Sequence, residues 1–515
     1  MTDIVLTADR TLMTDYNGIS PLGHIGCVPN RLVPNFVIKQ FLPELFDGEA
    51  TYALRRVESQ LLTEGYDVKI INPQDLNKIK KLKPKVVGIS TVDPFTKKPH
   101  PWTLTNIFGG GESVIQNEFF KLLTKLNKIK RNHPFNIVIG GPGTTEFKKY
   151  DVYNNLFDTA VIGPGEGAVD LFKLAMKKKK LPKLFNSKDV SWKDIPLIKG
   201  PARLGHVQIT QGCPRGCQFC VPTLKEWVSF PKQRILKEIE TTLKGGIKQI
   251  SLITEDFFLY GSKKVETNHS AILDLMKSIT KLMRKYNAHQ INFSNLSIAS
   301  TIKGEKTCEA LTDLLSLSKE KPTDTIIGLE TGSPRLIKKY MKDKAKPYNP
   351  DNWRELVIEG INILNDNHWH PLLNLITGLP DENEKDVIQT LDLIDDLKDN
   401  NVFYYVFYFV PLEGCELENQ NFFSFDDISE RRWELFIKCW SKTIQWLQQN
   451  MNKKIDIENK ILWYFFIKIL KEVEKELKIY KNDPFGFRDT YASAKIKGIH
   501  LIPFLLKRCV QSNEL

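Results

Sequence analysis

The amino-acid sequence predicts an α/β protein in three parts: an N-terminal doubly wound, Rossmann-like sheet, a central partial (β/α)6 barrel and a C-terminal helical region. Short apolar runs alternate with amphipathic helical patterns over the first 180 residues, and the same alternation recurs six times between residues 204 and 420. Beyond residue 420 the patterns are helical. We therefore expect domains at residues 1–180, 204–420 and 421–515, joined by a linker over 181–203 that is rich in Lys, Pro and Ser.

The N-terminal part contains five strand-like runs. They lie at residues 4–6, 68–71, 86–90, 136–139 and 159–162. Helical patterns over about 52–64 and 116–128 separate some of these runs, and the first of them repeats Leu54, Val57 and Leu61 at helical spacing. Strands that are joined by crossover helices favour a parallel, doubly wound sheet.

The last three of these strands end in small or polar residues, which we treat as candidate cofactor-binding positions. They are Ser90, Thr91 and Val92 after the third strand, Gly140, Gly141 and Pro142 after the fourth, and Gly163, Gly165, Glu166 and Gly167 after the fifth. Each turn could be an ordinary tight turn, but together at one sheet edge they favour a ligand that lies against the backbone. No turn has the spacing of a dinucleotide or triphosphate loop.

The central part contains six strand-like runs with helical patterns between them. The runs lie at residues 207–210, 249–253, 290–299, 325–329, 372–377 and 402–410, and the helices at about 232–242, 270–285, 305–316, 353–365 and 383–397. Six β/α repeats predict an open, partial barrel, in which chemistry belongs at the carboxyl ends of the strands. After it, amphipathic patterns over 429–450 and 459–478, interrupted at 483–488, predict a helical cap or docking surface.

Three cysteines follow the first strand of the barrel in a C-x3-C-x2-C spacing. Cys213, Cys217 and Cys220 lie in a loop that contains glycine and proline, so three thiolates can converge on one iron–sulfur cluster. With three ligands, one iron of a four-iron cluster stays open for a small molecule. The alternatives are a zinc site, which lacks a second paired motif, and incidental thiols, for which we expect no disulfide.

The cysteine loop resembles the radical S-adenosylmethionine (radical SAM) enzymes, whose triplet has an aromatic residue before its last cysteine, here Phe219. The resemblance implies one [4Fe-4S] cluster and bound SAM. "GLETGSPRLIKKY", which contains Glu330, matches the family pattern well, and Thr254-Glu255-Asp256 takes the place of its short Gly-Gly-Glu motif. The SAM-binding positions that this resemblance suggests are Phe219, Thr254, Glu255, Asp256, Ser297, Glu330, Gly378 and Val410.

The N-terminal part resembles the cobalamin-binding domain that precedes the radical SAM domain in one large enzyme class. The matching stretches are "VVGIST", "IVIGGPGTT" and "TAVIGPGEGAVDLF". Many such domains carry a D-x-H-x-x-G segment, in which the His ligates cobalt. The candidate in this sequence is His24, but the Asp and the Gly of that segment are missing around it. Cobalamin without a protein ligand is therefore favoured. The aromatic loop over 93–113 is expected to be an ordered lid or a cofactor wall.

Together the two resemblances imply a cobalamin-dependent radical SAM methyltransferase that acts on an unactivated carbon. A 5′-deoxyadenosyl radical would take a hydrogen atom from the substrate, and the substrate radical would collect methyl from methylcobalamin, with no side-chain general base. "ISTVDPF", "NIFGGGE" and "LSIAS" resemble the archaeal enzymes that C-methylate a glutamine of methyl-coenzyme M reductase. The alternatives are a radical carbon–carbon bond former, as in archaeal lipid cyclisation, and a non-catalytic cobalamin-sensing module.

The composition of the chain limits the location and the classes of partner that we expect. Hydrophobic content of 41% and charged content of 26% are those of a soluble globular chain, and no targeting segment is visible, so we expect a cytoplasmic protein. The net charge of +12 is spread along the chain, which favours a solvated surface over a nucleic-acid site. We expect a peptide or protein substrate rather than a lipid, and a low-potential electron donor such as ferredoxin. The other five of the eight cysteines are expected to be buried thiols.

Overall fold

The computed structural model describes residues 2–43, 45–46, 48–150, 154–451, 455 and 459–493. These residues form two compact units. The first contains residues up to 105, 110–206 and 240–247, and the second contains 106–109, 207–239 and the chain from 248 onwards. Cys509, one of the predicted buried thiols, and the end of the predicted C-terminal domain lie outside the described residues.

Fourteen strands are present among the described residues. They are β1 Ile4–Ala8, β2 Val68–Ile70, β3 Val86–Ser90, β4 Asn136–Gly140, β5 Thr159–Ile162, β6 Leu184–Asn186, β7 His206–Gln208, β8 Thr210–Gln211, β9 Val228–Ser229, β10 Gln249–Ile253, β11 Gln290–Leu296, β12 Thr323–Glu330, β13 Trp369–Thr377 and β14 Phe403–Tyr408. They form two six-stranded sheets and one two-stranded ribbon.

Sixteen α-helices are present in the same part of the chain. They are α1 Asn35–Phe41, α2 Tyr52–Thr63, α3 Lys78–Leu82, α4 Pro99–Ile107, α5 Val114–Lys130, α6 Val169–Met176, α7 Lys232–Lys244, α8 His269–Lys285, α9 Ile298–Lys303, α10 Glu305–Leu315, α11 Pro334–Tyr340, α12 Trp353–Asp366, α13 Glu384–Asp396, α14 Glu430–Asn450, α15 Lys460–Ile479 and α16 Pro484–Ser493. None of the described helices is long and apolar enough to cross a membrane.

The first sheet has the order β2-β1-β3-β4-β5-β6, and all of its neighbouring strands are parallel. Successive residues of a strand face opposite sides. Val87 accordingly packs into an apolar cluster with Phe119 of α5, whereas Val86 packs into a second cluster with Leu54 of α2 and Leu171 of α6. Helices therefore cover both faces, which confirms the predicted doubly wound sheet.

One prediction for this unit needs correction, and one helix was not predicted. The segment over 181–203, predicted to be a linker, contributes β6, which extends the sheet to six strands through pairs such as Val161 with Phe185. The loop over 93–113 contains the helix α4. Asp93 stabilises the turn that precedes α4, because its carboxylate accepts hydrogen bonds from the backbone N–H groups of Lys97 and Lys98 at 2.7 and 3.1 Å.

The second sheet has the order β14-β13-β12-β11-β10-β7, and the strands from β10 to β14 are parallel to their neighbours. Helices lie between successive strands, as the β/α pattern predicts. Several strand boundaries differ from prediction, and two of these differences change the path of the chain after a strand. Thr210 belongs to β8, which leaves the sheet and pairs antiparallel with β9, and residues 298–299 begin the helix α9 instead of ending β11. Both changes occur at carboxyl ends of strands, where the chain enters the site.

Candidate active site

The cysteine triplet lies in the cluster loop, which we define as residues 212–220, immediately after β8. Gly212 and Gly216 adopt positive φ values of 75° and 63°, so two sharp turns bring the three cysteines into one short loop. A side chain at position 212 would also meet the Glu226 carbonyl oxygen, 2.4 Å from the ideal Cβ. Cys217 is buried and Cys213 and Cys220 are half-buried, and all three are free thiols.

Burial makes these thiols poor acids in the absence of a metal. It raises the pKa of Cys213 to about 12, and the charge of Cys217 adds to this effect. Burial also raises the pKa of Cys217, although the Lys344 ammonium opposes the rise. Thiolates therefore need a metal here, because coordination replaces the proton.

The described residues contain no group of three His, Cys, Asp or Glu side chains placed to hold a single metal ion. In a four-iron cluster three thiolates bind three different irons, so the three thiols need not converge on one ion. Three nearby thiols on a glycine-turned loop at the end of a strand therefore fit the cluster predicted from the spacing.

Asp256 follows β10 and was predicted to contact SAM, but its carboxylate is committed within the protein. Arg215 of the cluster loop donates from Nη2 to Asp256 Oδ2 at 3.1 Å, and the Ser297 hydroxyl donates to the same oxygen at 2.7 Å. The Ser300 hydroxyl donates to Asp256 Oδ1 at 2.6 Å. Ser297, a second predicted SAM contact, also caps α9. Both residues are thus parts of a buried polar network.

Glu330 ends β12 and is likewise paired within the chain. Lys344 Nζ lies 3.0 Å from Glu330 Oε1, and both side chains are buried. Burial lowers the pKa of Lys344, but the negative charge of Glu330 opposes this and the net shift is upward, so the ammonium stays charged. Glu330 has a φ of 67°, and its carboxylate folds back over Gly328, where a Cβ would lie 2.2 Å from Oε1.

Glu255 is the predicted SAM-binding carboxylate without a bonded partner. Among the described residues, no group donates a hydrogen bond to it or forms an ion pair with it within 4 Å; burial raises its pKa, and the charge of Lys225 opposes that rise. Its charge acts on Cys220 of the cluster loop, so it lies beside the predicted cluster. A half-buried carboxylate in that position can accept hydrogen bonds from an ammonium group.

The remaining predicted SAM-binding positions are uncharged residues. Thr254 shares a hydrogen bond with Thr210 across the strand ends, with 2.7 Å between their hydroxyl oxygens. Phe219 is half-buried in the cluster loop, and Val410 is buried just beyond β14. The N–H of Gly378 donates to Glu382 at 2.7 Å, and a Cβ there would clash with Phe423, so this glycine serves packing.

The carboxyl edge of the first sheet brings Ser90 and Gly140 together, since they are partners in the β3–β4 register. The neighbouring Thr91 hydroxyl is buried and has no hydrogen-bond partner in the described structure, and a Cβ on Gly140 would meet no atom within 4 Å. An unpaired hydroxyl next to an open glycine fits a polar cofactor lying against this edge. Val92 is half-buried, and Pro142 is exposed beyond Gly141.

The other predicted glycines of this edge are required by their own chain. Ideal Cβ atoms on Gly141, Gly163 and Gly167 would lie 2.5 Å from the Thr91 carbonyl oxygen, 2.6 Å from Ser187 Oγ and 1.9 Å from the Lys188 carbonyl oxygen. Gly165 similarly faces Val57, and the Glu166 carboxylate forms an ion pair with Arg56 at 2.6 Å. These contacts explain why the 163–167 loop needs its glycines, and its contact with the cofactor stays a prediction.

His24, the candidate cobalt ligand, lies against His100 of α4. The Nδ1 atom of His24 is 3.2 Å from Nε2 of His100, and burial lowers the pKa of His24 to about 4. The pKa of His100 is lowered well below its usual value by burial and by His24. Both rings are therefore neutral at pH 7. No pattern in the sequence indicates this pair.

Comparisons with known proteins agree with this geometry. The sequence model of the Radical SAM superfamily matches residues 207–394. An uncharacterised protein of Methanocaldococcus jannaschii is 30% identical over 213 residues, which are 40% of this chain and 39% of that protein. A tRNA-2-methylthio-N(6)-dimethylallyladenosine synthase of Marinomonas is 24% identical over 57% of this chain and 62% of the relative.

A ribosomal protein uS12 methylthiotransferase of Clostridium botulinum is 26% identical over 59% of this chain and 60% of the relative. The chain thus spans from about two fifths to about three fifths of the length of these relatives. Two solved structures of the radical SAM methyltransferase TsrM from Kitasatospora setae share the fold. One has cobalamin and a [4Fe-4S] cluster bound, with a TM-score of 0.51, 14% identity and coverage of 81% of this chain and 74% of that one.

The other TsrM structure, with tryptophan and a SAM analogue bound, has a TM-score of 0.52 at 14% identity and covers 81% of this chain and 76% of that one. At this identity the likeness describes the fold. The superfamily match covers the second sheet from β7 to β13 and most of α13, and it includes the whole cluster loop. Residues 207–394 of this chain therefore form a radical SAM domain, the kind of enzyme domain that binds a [4Fe-4S] cluster and S-adenosylmethionine.

Proposed function

We propose that this protein is a cobalamin-dependent radical SAM methyltransferase that methylates an unactivated carbon. The observation that carries the proposal is the pairing, in one chain, of an intact cluster loop at a strand end with a separate doubly wound sheet whose edge has an open glycine, Gly140, and an unpaired hydroxyl, Thr91. The fold shared with solved methyltransferases over 81% of the chain supports it.

The residues of the site have defined tasks in this proposal. When bound, the cluster and SAM supply a radical that removes a hydrogen atom, and methylated cobalamin supplies the methyl group. Cys213, Cys217 and Cys220 hold three irons. Glu255 accepts hydrogen bonds from the SAM ammonium, and Lys344 fixes the Glu330 carboxylate beside the cluster loop. We further propose that a low-potential donor such as ferredoxin supplies the electron.

As substrate we propose a polypeptide, with the glutamine of methyl-coenzyme M reductase as the first candidate. The sequence stretches that resemble archaeal glutamine methyltransferases support this choice. The rivals are methylthio transfer, because the curated relatives include methylthiotransferases, carbon–carbon bond formation on a lipid, and a cobalamin-sensing module without catalysis.

Anaerobic reconstitution tests the radical part of the proposal. The wild-type chain should take up iron and sulfide in equal amounts and convert SAM to 5′-deoxyadenosine after reduction. Cys213→Ala should lose both properties, whereas Cys308→Ala, a buried thiol in α10, should keep both. A Cys213→Ala protein that still forms 5′-deoxyadenosine would contradict the assignment.

Product analysis then separates the rivals. Incubation with cobalamin, SAM and a candidate peptide should give a peptide that is heavier by one methyl group. A gain of one methylthio group would favour sulfur transfer, and coupling without any gained methyl would favour carbon–carbon bond formation. Protein that never takes up cobalamin under anaerobic loading would exclude the methyl-transfer version, and protein that binds cobalamin without cleaving SAM would favour the sensor.

A further inference from the structure

Arg215 is the one charged residue between the first two cysteines of the cluster loop, and its side chain is 4% exposed. Burying an arginine is costly unless its guanidinium finds acceptors. Here Nη2 donates to Asp256 and to the Ser297 hydroxyl, at 3.1 and 2.7 Å. Arg215 therefore joins the cluster loop to the ends of two neighbouring strands, β10 and β11.

The other terminal nitrogen of Arg215 faces the turn after α11. Nη1 donates to the carbonyl oxygens of Lys346 and Asp343, at 2.8 and 3.4 Å. The backbones of the same two segments are also joined, because the N–H of Asp343 donates to the Arg215 carbonyl at 3.1 Å and that of Gln218 donates to Tyr340 at 2.9 Å. The cluster loop is thus held against the 340–346 segment by main chain and side chain together.

We propose that Arg215 is the positioning residue of the cluster loop: it holds Cys213 and Cys217 in the arrangement that accepts the cluster by tying their loop to Asp256, Ser297 and the 343–346 turn. The proposal rests on the radical SAM domain and not on methyl transfer. Arg215 acts through the cysteines, and it also places a fixed positive charge within the loop that carries them.

An arginine is required for this task because its planar fork serves several acceptors at once. A lysine at the same position would keep the charge but could not reach two strand ends and a turn from one point. Arg215→Lys therefore separates the tether from the charge, and Arg215→Gln removes both. Arg234→Lys is the matched control, since the half-buried Arg234 forms an ion pair with the buried Glu238 inside α7, at 3.3 Å.

The first measurement is the release of iron from the reconstituted protein to a chelator under anaerobic conditions. Residues that support metal ligands change metal affinity by roughly 10- to 100-fold when they are mutated. We expect Arg215→Lys to release iron about tenfold faster than the wild type or more, and Arg234→Lys to match the wild type. Arg215→Lys protein with wild-type iron content and release rate would overturn the proposal.

The second measurement is the reduction potential of the assembled cluster, followed by electron paramagnetic resonance. Loss of a buried positive charge disfavours the added electron. Arg215→Gln should therefore have a more negative potential than Arg215→Lys, while Arg234→Lys should be unchanged. Equal potentials in the two Arg215 variants would contradict the charge part of the proposal, because an arginine with a structural role alone does not distinguish them.

Ser297→Ala keeps the proposal testable if the Arg215 variants do not fold. It removes one hydroxyl that Arg215 and Asp256 share and leaves both charges in place. Iron release should accelerate less than in Arg215→Lys, but clearly beyond Ser429→Ala, which loses the comparable cap of α14. A folded Ser297→Ala protein with the release rate of Ser429→Ala would overturn the proposal. Wild-type protein that assembles no cluster would instead contradict the radical SAM assignment itself.

Discussion

Two buried aspartates follow strand ends in the two sheets, and their surroundings differ. Asp256, after β10, is 4% exposed and receives a guanidinium and two serine hydroxyls. Asp9, directly after β1, is fully buried and receives the backbone N–H and the hydroxyl of Thr11, both on Oδ1. Its Oδ2 atom has no hydrogen-bond partner among the described residues.

The difference shows that a buried acid at a strand end is not by itself a ligand-binding group. Asp256 was predicted to bind SAM, yet its charge is balanced inside the protein by Arg215. Asp9 was not predicted to have a role, yet burial raises its pKa to about 6. The presence of a counter-charge decides which of the two carboxylates has its charge balanced inside the protein. For Asp256 this counter-charge is Arg215, which lies far away in sequence.

Removing the charge of Asp256 should have the largest effect on stability. Asp256→Asn leaves Arg215 as an uncompensated buried cation, and breaking a buried pair in this way typically costs about 3 to 5 kcal/mol. We expect a loss of that size in the free energy of unfolding of the second unit. Urea unfolding followed by the fluorescence of the buried Trp353 and Trp369 measures it. A loss below about 1 kcal/mol would show that the pair behaves like an exposed one.

The same substitution at Asp9 should act in the opposite direction. The pKa of Asp9 is about 6 in the folded protein against an ordinary value of 3.8, because burial disfavours its charge. The folded state therefore holds the proton to higher pH, and the stability that it contributes is lost as pH rises from about 4 to about 6. Asp9→Asn stays neutral, so it should be more stable than the wild type at neutral pH.

The shift of Asp9 sets the size of that gain. A rise from 3.8 to about 6 corresponds to at most about 3 kcal/mol, since one pKa unit is about 1.4 kcal/mol. Urea unfolding at about pH 4 and about pH 7 should show the gain at neutral pH only. An Asp9→Asn protein that is less stable than the wild type at neutral pH would show that the carboxylate has a partner that the described contacts do not include.

The sequence predicts the strands that form continuous apolar runs and misses those that do not. Val86–Ser90 and Asn136–Gly140 are long apolar runs, and both form buried parallel strands. The edge strand β6 has only three residues, of which the first and the last are exposed, and it lies in a segment that is rich in lysine and proline. It therefore shows no periodic pattern. The helix α4 begins with two prolines, which normally indicate a turn, and this composition concealed it.

The site was predictable only where its residues are neighbours in sequence. The spacing of the cysteines identifies the cluster loop directly. Arg215 and Asp256 are 41 residues apart, and Glu330 and Lys344 are 14 apart. A single arginine or lysine in a basic chain is not distinguished by composition from a surface residue. The commitment of Asp256 and Glu330 to internal cations could therefore be read only from the folded structure.

Two adjacent glycines at the edge of the first sheet allow a test in which the expected loss of stability is smaller. Gly141 has a φ of 102° and its Cβ would lie 2.5 Å from the Thr91 carbonyl oxygen, whereas a Cβ on Gly140 would meet open space. Gly141→Ala should lose roughly 1 to 3 kcal/mol of stability through strain and overpacking. Gly140→Ala should be nearly neutral for folding and should weaken cobalamin uptake instead. Equal losses of stability would remove the evidence for an open edge at Gly140.

The last predicted effect is on binding instead of stability and concerns Glu255, for which the described residues provide no bonded partner. If its role is to accept hydrogen bonds from the SAM ammonium, Glu255→Gln keeps the shape but removes the charge, and a charged hydrogen bond contributes about 1.5 to 3 kcal/mol. SAM affinity, measured by equilibrium dialysis of the reconstituted protein, should fall about tenfold or more, while iron content is unchanged. Glu226 is exposed, so Glu226→Gln is the matched control, and we expect it to bind SAM with wild-type affinity. Because Asp256 and Glu330 already have internal cations, unchanged SAM affinity in Glu255→Gln would mean that one of those ion pairs opens when SAM binds.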